Sequence, residues 1–471
     1  MPRTGRSMSA QSQKLGTDLL APRLMFALFV LFALFGGASR GDEFVLVLLR
    51  PVILVMAAVA LWTWEIDRFK VGWPIISPIV AIAFLCILQL VPLPPSIWAD
   101  LPGREAIVGI DQLLFDNLPW RPITMSPSAT YNALFYSLTM VGAFLVFSAA
   151  AKDREATILR AILAIATISV VIALISAQIG MRLYRPYDIM SVGPSGLFSN
   201  ANHFGVFCSV GMLVALRLVS IDRLVGGQAT QWIAFSGLAV LMLVGAVLST
   251  SRLAFATAGI AVACSSLVFL RHVVFASASE RGSRVLKTKK QQWIIGGSIV
   301  IAAVLTIALF IYVAFIQREA SLGNFEEVEL TESLRVRLAP ILLTMAADQW
   351  LAGIGFGSFA DYYAIIEPTE FVGPQYVNQA HNDLAQFFIE GGILSAFIAL
   401  AGLAWLAWRV FGLFRAGYGN CGIILIGLLV IVALGSTVDY VLRVPLFAYV
   451  TGALLIVWLN AVNGKQHKGA I

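Results

Sequence analysis

The sequence predicts an all-α, polytopic integral membrane protein with about twelve transmembrane helices and one large periplasmic loop bearing short amphipathic helices. Its 471 residues are 59% hydrophobic and only 12% charged, whereas soluble domains carry roughly 25% charged residues. Apolar runs of about 20 residues, long enough to cross a bilayer as a helix, recur along nearly the whole chain. Because these runs are continuous and do not alternate in hydrophobicity, they argue against a membrane β-barrel.

The apolar runs divide the chain into about twelve predicted spans. The first follows a basic N-terminus and lacks a clear small-residue cleavage site, so we interpret it as a span rather than a signal peptide. The predicted spans cover residues 22–39, 44–62, 73–92, 130–150, 157–179, 203–220, 230–249, 252–270, 293–315, 384–408, 420–437 and 444–462.

The distribution of Lys and Arg between the spans predicts the orientation of the chain. Basic residues concentrate in every second connection, most strongly in "RHVVFASASERGSRVLKTKK", and such loops stay in the cytoplasm. We therefore expect both termini to be cytoplasmic. The predicted parts are nine helices over residues 1–315, a large periplasmic loop over 316–383 and three helices over 384–471. In a Gram-negative cell, this arrangement predicts an inner-membrane protein.

The charge and the cysteines exclude several other classes of function. The net charge of +6 does not indicate a nucleic-acid partner, because the basic residues lie between apolar runs and set topology. None of the four cysteines is part of a Cys-x-x-Cys pair. We interpret them as buried small hydrophobic residues rather than as disulfides or metal ligands. These cysteines are Cys86, Cys208, Cys264 and Cys421.

A histidine lies where the long outer loop enters a predicted span, in "YVNQAHNDLAQFFIEGG". His381 is followed by Asp383, Gln386 and Glu390, which are spaced to share one face of a helix. Ionisable side chains inside a membrane span are energetically costly and are often functional. A histidine beside carboxylates is a candidate general base near neutral pH. We therefore expect His381 to act as the base, and Asp383 and Glu390 to orient it or to carry part of its charge.

Three arginines are candidates for binding an anionic group on the outer face. Arg252 begins a span in "VLSTSRLAFATAG", and Arg335 and Arg337 lie in "ESLRVRLAPILLTMAADQW", a predicted amphipathic helix on the membrane surface. One guanidinium group can donate two hydrogen bonds to the oxygens of one phosphate, and several guanidinium groups together suit a diphosphate. A role as headgroup anchors is the alternative for Arg335 and Arg337.

The glycine-rich stretch "GIGFGSF", residues 353–359, superficially matches a dinucleotide-binding loop. No strand precedes it and no βαβ unit surrounds it, as such a loop would require. We expect a tight backbone turn that packs near the site instead. The outer loops also contain no paired metal-ligand spacing such as His-x-x-x-His or Asp-x-Asp, so we expect neither a metal nor a cofactor.

Three motifs in order resemble the bacterial O-antigen ligase and O-antigen polymerase superfamily. They are "STSRLAF" around Arg252, Arg335 about fifteen residues ahead of "WLAGIGFGSF", and "AHNDLAQFFIEGGILSAF" around His381. The segment "SGLFSNANHFG" also resembles the polar stretch that precedes a span in this family. It suggests Asn200 and Asn202, together with Asn382 beside His381, as substrate-binding residues. The resemblance covers roughly residues 190–410.

The resemblance implies a membrane glycosyltransferase that takes a glycan from an undecaprenyl diphosphate carrier. The acceptor would be a hydroxyl of lipid A-core or of a growing glycan, and the surrounding membrane lipids would be the other partner. Arg252 and Arg335 would bind the diphosphate, with Arg337 as the alternative loop arginine. Permanent arginine charges could replace a metal ion, and direct attack by the acceptor would invert the anomeric centre.

Two alternatives to a ligase stay open on the sequence alone. A polymerase of the same superfamily would join repeat units to one another, and no motif separates it from a ligase. A transporter or lipid-glycan flippase would place charges or broken helices near mid-bilayer and would often contain an internal repeat. Here the polar residues gather in the outer loops, which favours the enzyme.

Overall fold

The computed structural model describes the backbone of residues 5–41, 43–188, 193–221, 228–278, 325–372 and 377–460. Side chains are described from residue 19 onward within these ranges, except for residues 228–232, 272–278, 325–336 and 370. The longer helices are α1 (Gly5–Phe35), α2 (Phe44–Thr63), α3 (Trp73–Leu90), α6 (Pro127–Ala151), α7 (Glu155–Ile179), α8 (Ala201–Ile221), α9 (Gln228–Leu248), α10 (Arg252–Ala278), α11 (Phe325–Asp348), α13 (Asp383–Arg415), α14 (Gly419–Val438) and α15 (Pro445–Leu459).

Short elements occupy the connections between the long helices. The connection from α3 to α6 contains two strands, β1 (Pro92–Leu93) and β2 (Arg121–Pro122), which pair antiparallel. It also contains two short helices, α4 (Pro95–Trp98) and α5 (Glu105–Leu114). Elsewhere lie α12 (Phe359–Ile366) and the 3₁₀ helices Ile66–Gly72, Thr369–Phe371 and Val441–Arg443.

The apolar helices confirm a polytopic all-α membrane protein. In the described ranges, 8 helices are long and apolar enough to cross a membrane, and three shorter apolar helices accompany them, Leu19–Phe35, Ile233–Leu248 and Pro445–Leu459. The predicted span over residues 293–315 lies outside the described residues. The count of twelve, the orientation and the three predicted parts of the chain therefore stay predictions.

Backbone hydrogen bonds join the helix ends that carry the candidate site. The N–H of Leu446 donates to the carbonyl oxygen of Gly36 (2.7 Å), which ties the start of α15 to the end of α1. The N–H of Asp383 donates to the carbonyl oxygen of Asp439 (3.3 Å), which ties the start of α13 to the end of α14. Because His381 lies two residues before the start of α13, we call this end of the bundle the His381 end.

Helix α13 is broken at Gly392, where φ is 60° and ψ is −154°. The break frees backbone carbonyls, which must find other donors inside a membrane protein. The N–H groups of Ile354 and Gly355 donate to the carbonyl oxygens of Ile389 and Glu390, each at 3.0 Å. The "GIGFGSF" loop is therefore a backbone clamp on the broken helix, in keeping with the tight turn that its glycines predict.

The clamp needs glycine for both conformation and space. Gly353 has a φ of +71°, and a Cβ there would lie 2.4 Å from the carbonyl oxygen of Glu390. Gln89 of α3 also contributes, since its Nε2 donates to the same carbonyl oxygen (2.9 Å) and its Oε1 accepts from the N–H of Phe356 (3.0 Å). Two separate segments, the glycine-rich loop and α3, thus hold the first half of α13.

The predicted amphipathic helix of the large loop forms as α11, and its second half packs on protein. Leu338, Leu342 and Met345 belong to one buried apolar cluster with Ile389 of α13. Other members of the cluster come from the clamp and from α12: Ile354, Phe359, Tyr362 and Tyr363. This packing places the loop helix beside α13 just after the turn that carries His381.

Candidate active site at the His381 end

His381 lies in the turn that leads into α13, with its imidazole directed at a buried carboxylate. Nδ1 of His381 is 3.3 Å from Oδ1 of Asp439, the residue that follows α14. Asp439 is fully buried, whereas the His381 side chain is 30% exposed. Since Nδ1 faces the carboxylate, Nε2 on the opposite edge of the ring is the nitrogen available to a substrate.

The backbone of His381 has a left-handed conformation, with a φ of 49°. A non-glycine residue in this region is uncommon, although histidine is among the residues that adopt it more often. The next residue, Asn382, caps α13, because its Oδ1 accepts a hydrogen bond from the N–H of Ala385 (2.9 Å). Such conformations cluster at functional sites, where the surrounding structure holds them in place.

Asp439 keeps its charge although it is buried. Its Oδ2 accepts a hydrogen bond from Nδ2 of Asn202 (2.9 Å), and its Oδ1 accepts one from the N–H of Tyr440 (3.0 Å). Burial raises the pKa of Asp439, but its interactions with His203 and His381 lower that pKa by more and hold it well below the ordinary value. An ionised Asp439 can orient His381 and stabilise its protonated form.

The structure assigns Asp383 and Glu390 a different partner from the predicted one. The sequence suggests that both acids orient His381, but their carboxylates face Arg443. Nε of Arg443 is 3.3 Å from Oδ1 of Asp383, and its Nη2 donates to Oε2 of Glu390 at 3.0 Å. The expectation that they orient the histidine is therefore corrected, because the helical face that carries them points to the turn after α14, and Asp439 is the acid in contact with His381.

Further hydrogen bonds fix the positions of the two carboxylates in this charged cluster. Asp383 Oδ2 accepts from the hydroxyl of Ser436 and from the N–H of Leu442, each at 3.1 Å. Glu390 Oε1 accepts from Nε2 of Gln386 (2.9 Å). The polar stripe predicted along α13 is thus present, and it binds the start of α13 to the turn that carries Asp439.

The three predicted substrate-binding asparagines have protein partners. Asn200 Oδ1 accepts a hydrogen bond from the N–H of Asn202 (2.8 Å) at the start of α8, in the manner of a helix cap. Asn382 caps α13, and Asn202 donates to Asp439. Their contacts in the structure therefore serve to hold the helix ends and the carboxylate.

The candidate arginines lie on elements that flank the site. Arg252 is exposed at the first position of α10. The starts of α8 and α10 touch closely, since a Cβ at Gly205 would lie 2.3 Å from the Cβ of Ala254. Arg337 is exposed on α11 with its guanidinium 4.3 Å from the ring centre of Phe371. Arg335 lies on the same helix, and its side chain is outside the described residues.

Sequence reasoning missed Asp439 and Arg443, and it assigned no role to His203. Both charged residues lie in "STVDYVLRVP", a turn of a few residues between two apolar helices. Two charges in so short a connection were the available signal, because a charge at a membrane boundary needs a partner. In the described part of the chain, no group of three or more His, Cys, Asp or Glu side chains is arranged to hold a metal ion.

One comparison with known proteins bears directly on this site. No curated protein matches the chain. Residues 237–400 match the model of the O-antigen ligase family, a range that runs from α9 to the middle of α13 and includes Arg252, Arg335, Arg337 and His381. The match implies a multi-pass membrane enzyme of glycosyl transfer. The family match over residues 237–400 therefore covers the same three motifs that carry the resemblance to O-antigen ligases and polymerases.

Proposed function

We propose that the protein transfers a glycan from an undecaprenyl-diphosphate-linked donor to an acceptor hydroxyl of lipid A-core, at the periplasmic face of the inner membrane. The observation that carries the proposal is the contact between His381 and the buried Asp439, with Nδ1 and Oδ1 3.3 Å apart at the end of a membrane-spanning helix. A base at this level meets both a diphosphate at the depth of the lipid headgroups and an acceptor sugar that reaches into water.

The proposed reaction is a single displacement. Nε2 of His381 takes the proton from the acceptor hydroxyl as its oxygen forms a bond to the anomeric carbon of the donor sugar. The bond between that carbon and the diphosphate oxygen breaks, and its electron pair leaves with undecaprenyl diphosphate. Asp439 stabilises the resulting imidazolium, as the acid of an Asp–His pair does in other enzymes. Attack opposite the leaving group inverts the anomeric configuration.

The leaving diphosphate gains negative charge, and arginines are the groups proposed to stabilise it. Arg252 lies at a helix start, where the N–H groups and the helix dipole also favour an anion. Arg335 on α11 is the proposed second arginine, since Arg337 contacts the ring of Phe371. Fixed cations aimed at a developing charge supply the electrostatic role that other transferases assign to a metal.

Asp383 and Glu390 take an indirect part in this proposal. Their pairing with Arg443 fixes the turn in which Asp439 lies. They are positioning residues, because they act through Asp439 and the start of α13. Asn202 acts in the same way, through its hydrogen bond to Asp439.

The test has two arms, one for the chemistry and one for the acceptor. Purified protein should join a glycan from an undecaprenyl-diphosphate donor to lipid A-core, and absence of product with an active donor would contradict the proposal. The glycans that accumulate in a deletion strain then distinguish a ligase from a polymerase and from a flippase. Loss of a ligase leaves long glycans on the carrier, loss of a polymerase leaves single repeats, and loss of a flippase keeps the donor on the cytoplasmic side.

A further inference from the structure

A second histidine lies against the carboxylate that orients His381. Nε2 of His203, in the first turn of α8, is 3.7 Å from Oδ1 of Asp439, the same oxygen that faces His381. The rings of both histidines pack on Tyr440, with ring centres 5.0 Å away for His203 and 5.2 Å for His381. The same carboxylate oxygen of Asp439 thus lies close to both imidazoles.

His203 has no other polar partner among the described residues. It is fully buried, and neither of its ring nitrogens makes a hydrogen bond there. A buried polar group without a hydrogen bond is costly. The nearest acceptor is Asp439, at a distance slightly longer than a hydrogen bond. A small shortening of the distance between His203 and Asp439 would give the ring a hydrogen bond. An apolar side chain of similar size would need no such partner.

Among the residues that the structure describes, few other charged groups lie near the two imidazoles. Tyr440 is neutral at physiological pH, because burial and the charge of Asp439 raise its pKa. Arg443 is occupied by Asp383 and Glu390. The elements packed against the first turn of α8 contribute Arg252 at the start of α10 and Arg40 and Glu43 in the connection after α1. Asp439 is the group that contacts both histidines.

We propose that His203 is a positioning residue that sets the basicity of His381 by sharing the charge of Asp439. The inference rests on the proposed function only in identifying His381 as the base. An N–H of His203 directed at Oδ1 withdraws part of the carboxylate's charge from His381. His381 then stays deprotonated, and able to accept the acceptor's proton, at a lower pH than it would beside an unshared carboxylate.

The direction of the effect follows from the charges. A negative carboxylate raises the pKa of a neighbouring histidine, because it stabilises the imidazolium. Removing His203 takes away one of the groups that share the charge of Asp439, beside Asn202 and the N–H of Tyr440, so more of that charge acts on His381 and raises its pKa. The base must be deprotonated to work, so the acidic limb of the rate profile moves to higher pH. We expect a shift of about one pH unit for His203→Phe and a smaller one for His203→Gln, which keeps a donor.

The experiment measures the coupling without relying on transfer. The chain has four histidines, and replacing His272 and His467 with glutamine leaves two. NMR of ring-labelled histidine in the purified full-length protein then follows His203 and His381 across pH. In protein with both site histidines intact, each signal should respond to titration of the other. Two independent titrations there would overturn the inference, and this arm needs no substitution at the site.

The variants supply the second arm. The pKa of His381 should be highest in His203→Phe, intermediate in His203→Gln and lowest with His203 present. An unchanged pKa of His381 in both variants would also overturn the inference. With the donor present, the acidic limb should follow that pKa, giving about a ten-fold loss at low pH and little loss at high pH. A uniform loss at every pH indicates a structural role only, whereas coupling by NMR without any pH-dependent transfer contradicts the proposed function instead.

Discussion

Nη2 of Arg443 donates a 3.0 Å hydrogen bond to Oε2 of Glu390, which ties the first half of α13 to the turn after α14. His381 precedes the first of these elements, and Asp439 begins the second. The geometry of the proposed base and its acid therefore depends on an ion pair between two other residues. This dependence separates the residues that hold the site from those proposed to act on the substrate.

Removing Arg443 should destabilise the protein more than removing Glu390. Arg443→Met leaves two buried acids without their cation, and loss of one member of a buried ion pair costs roughly 3–5 kcal/mol. Glu390→Gln should cost less, because Arg443 keeps Asp383 and the amide can still accept a hydrogen bond. Thermal unfolding in detergent measures both. Equal unfolding temperatures for the two variants would show that the cluster does not hold the turn.

Arg252→Lys should impair transfer nearly as much as Arg252→Ala. Lysine keeps the charge but lacks the planar fork that binds two phosphate oxygens. We expect a loss on the order of 100-fold for either change, as for other groups that stabilise a developing charge. Transfer by purified variants at matched membrane levels is the measurement. If lysine restores most of the activity, Arg252 is a point charge or a headgroup anchor.

Arg335→Ala should reduce transfer more than Arg337→Ala. The guanidinium of Arg337 lies over the ring of Phe371, so its removal should act mainly on the packing of the loop. Both residues belong to α11, which makes each the control for the other. The same transfer assay compares them. A larger loss of transfer for Arg337→Ala than for Arg335→Ala would make Arg337, and not Arg335, the second diphosphate-binding arginine.

The predicted orientation places the His381 end in the periplasm. In a cysteine-free background, Asp116→Cys and Lys152→Cys should react oppositely with a membrane-impermeant thiol reagent. Both positions are exposed, and Asp116 lies in the connection that precedes α6 whereas Lys152 immediately follows that helix. Asp116 should label in intact cells freed of the outer membrane, and Lys152 only after lysis. Labelling in intact cells of the cysteine at position 152 alone would show that the orientation is the reverse and that the His381 end faces the cytoplasm.

The multi-pass fold and the positions of His381 and Arg252 at helix starts were predictable from the sequence for a simple reason. The length of an apolar run indicates where a span begins and ends, and His381 and Arg252 are polar residues at such ends. Asn382 was predicted to bind substrate, although an asparagine immediately before a helix is a common cap, which is its role in the structure. Local pattern carries all of this information.

The partners of the site could not be predicted because they are distant along the chain. Asp439 is 58 residues from His381, and Arg443 is 53 residues from Glu390. Only the packing of α13 against α14 brings them together. Asp383 and Glu390 were assigned to the histidine because they are near it in sequence, but the face of α13 that carries them meets Arg443 instead.

The most direct test of the account is transfer by purified protein in detergent with excess chelator, comparing the unaltered chain with His381→Ala and Asp439→Asn. We expect metal-independent transfer with inversion of the anomeric configuration. His381→Ala should fold and reach the membrane normally yet lose transfer by a factor on the order of 1,000 or more, and Asp439→Asn should lose a factor on the order of 100 or more. Near-normal product from His381→Ala would contradict the assignment of the base, and a product that retains the donor's configuration or requires Mg²⁺ or Mn²⁺ would contradict the mechanism.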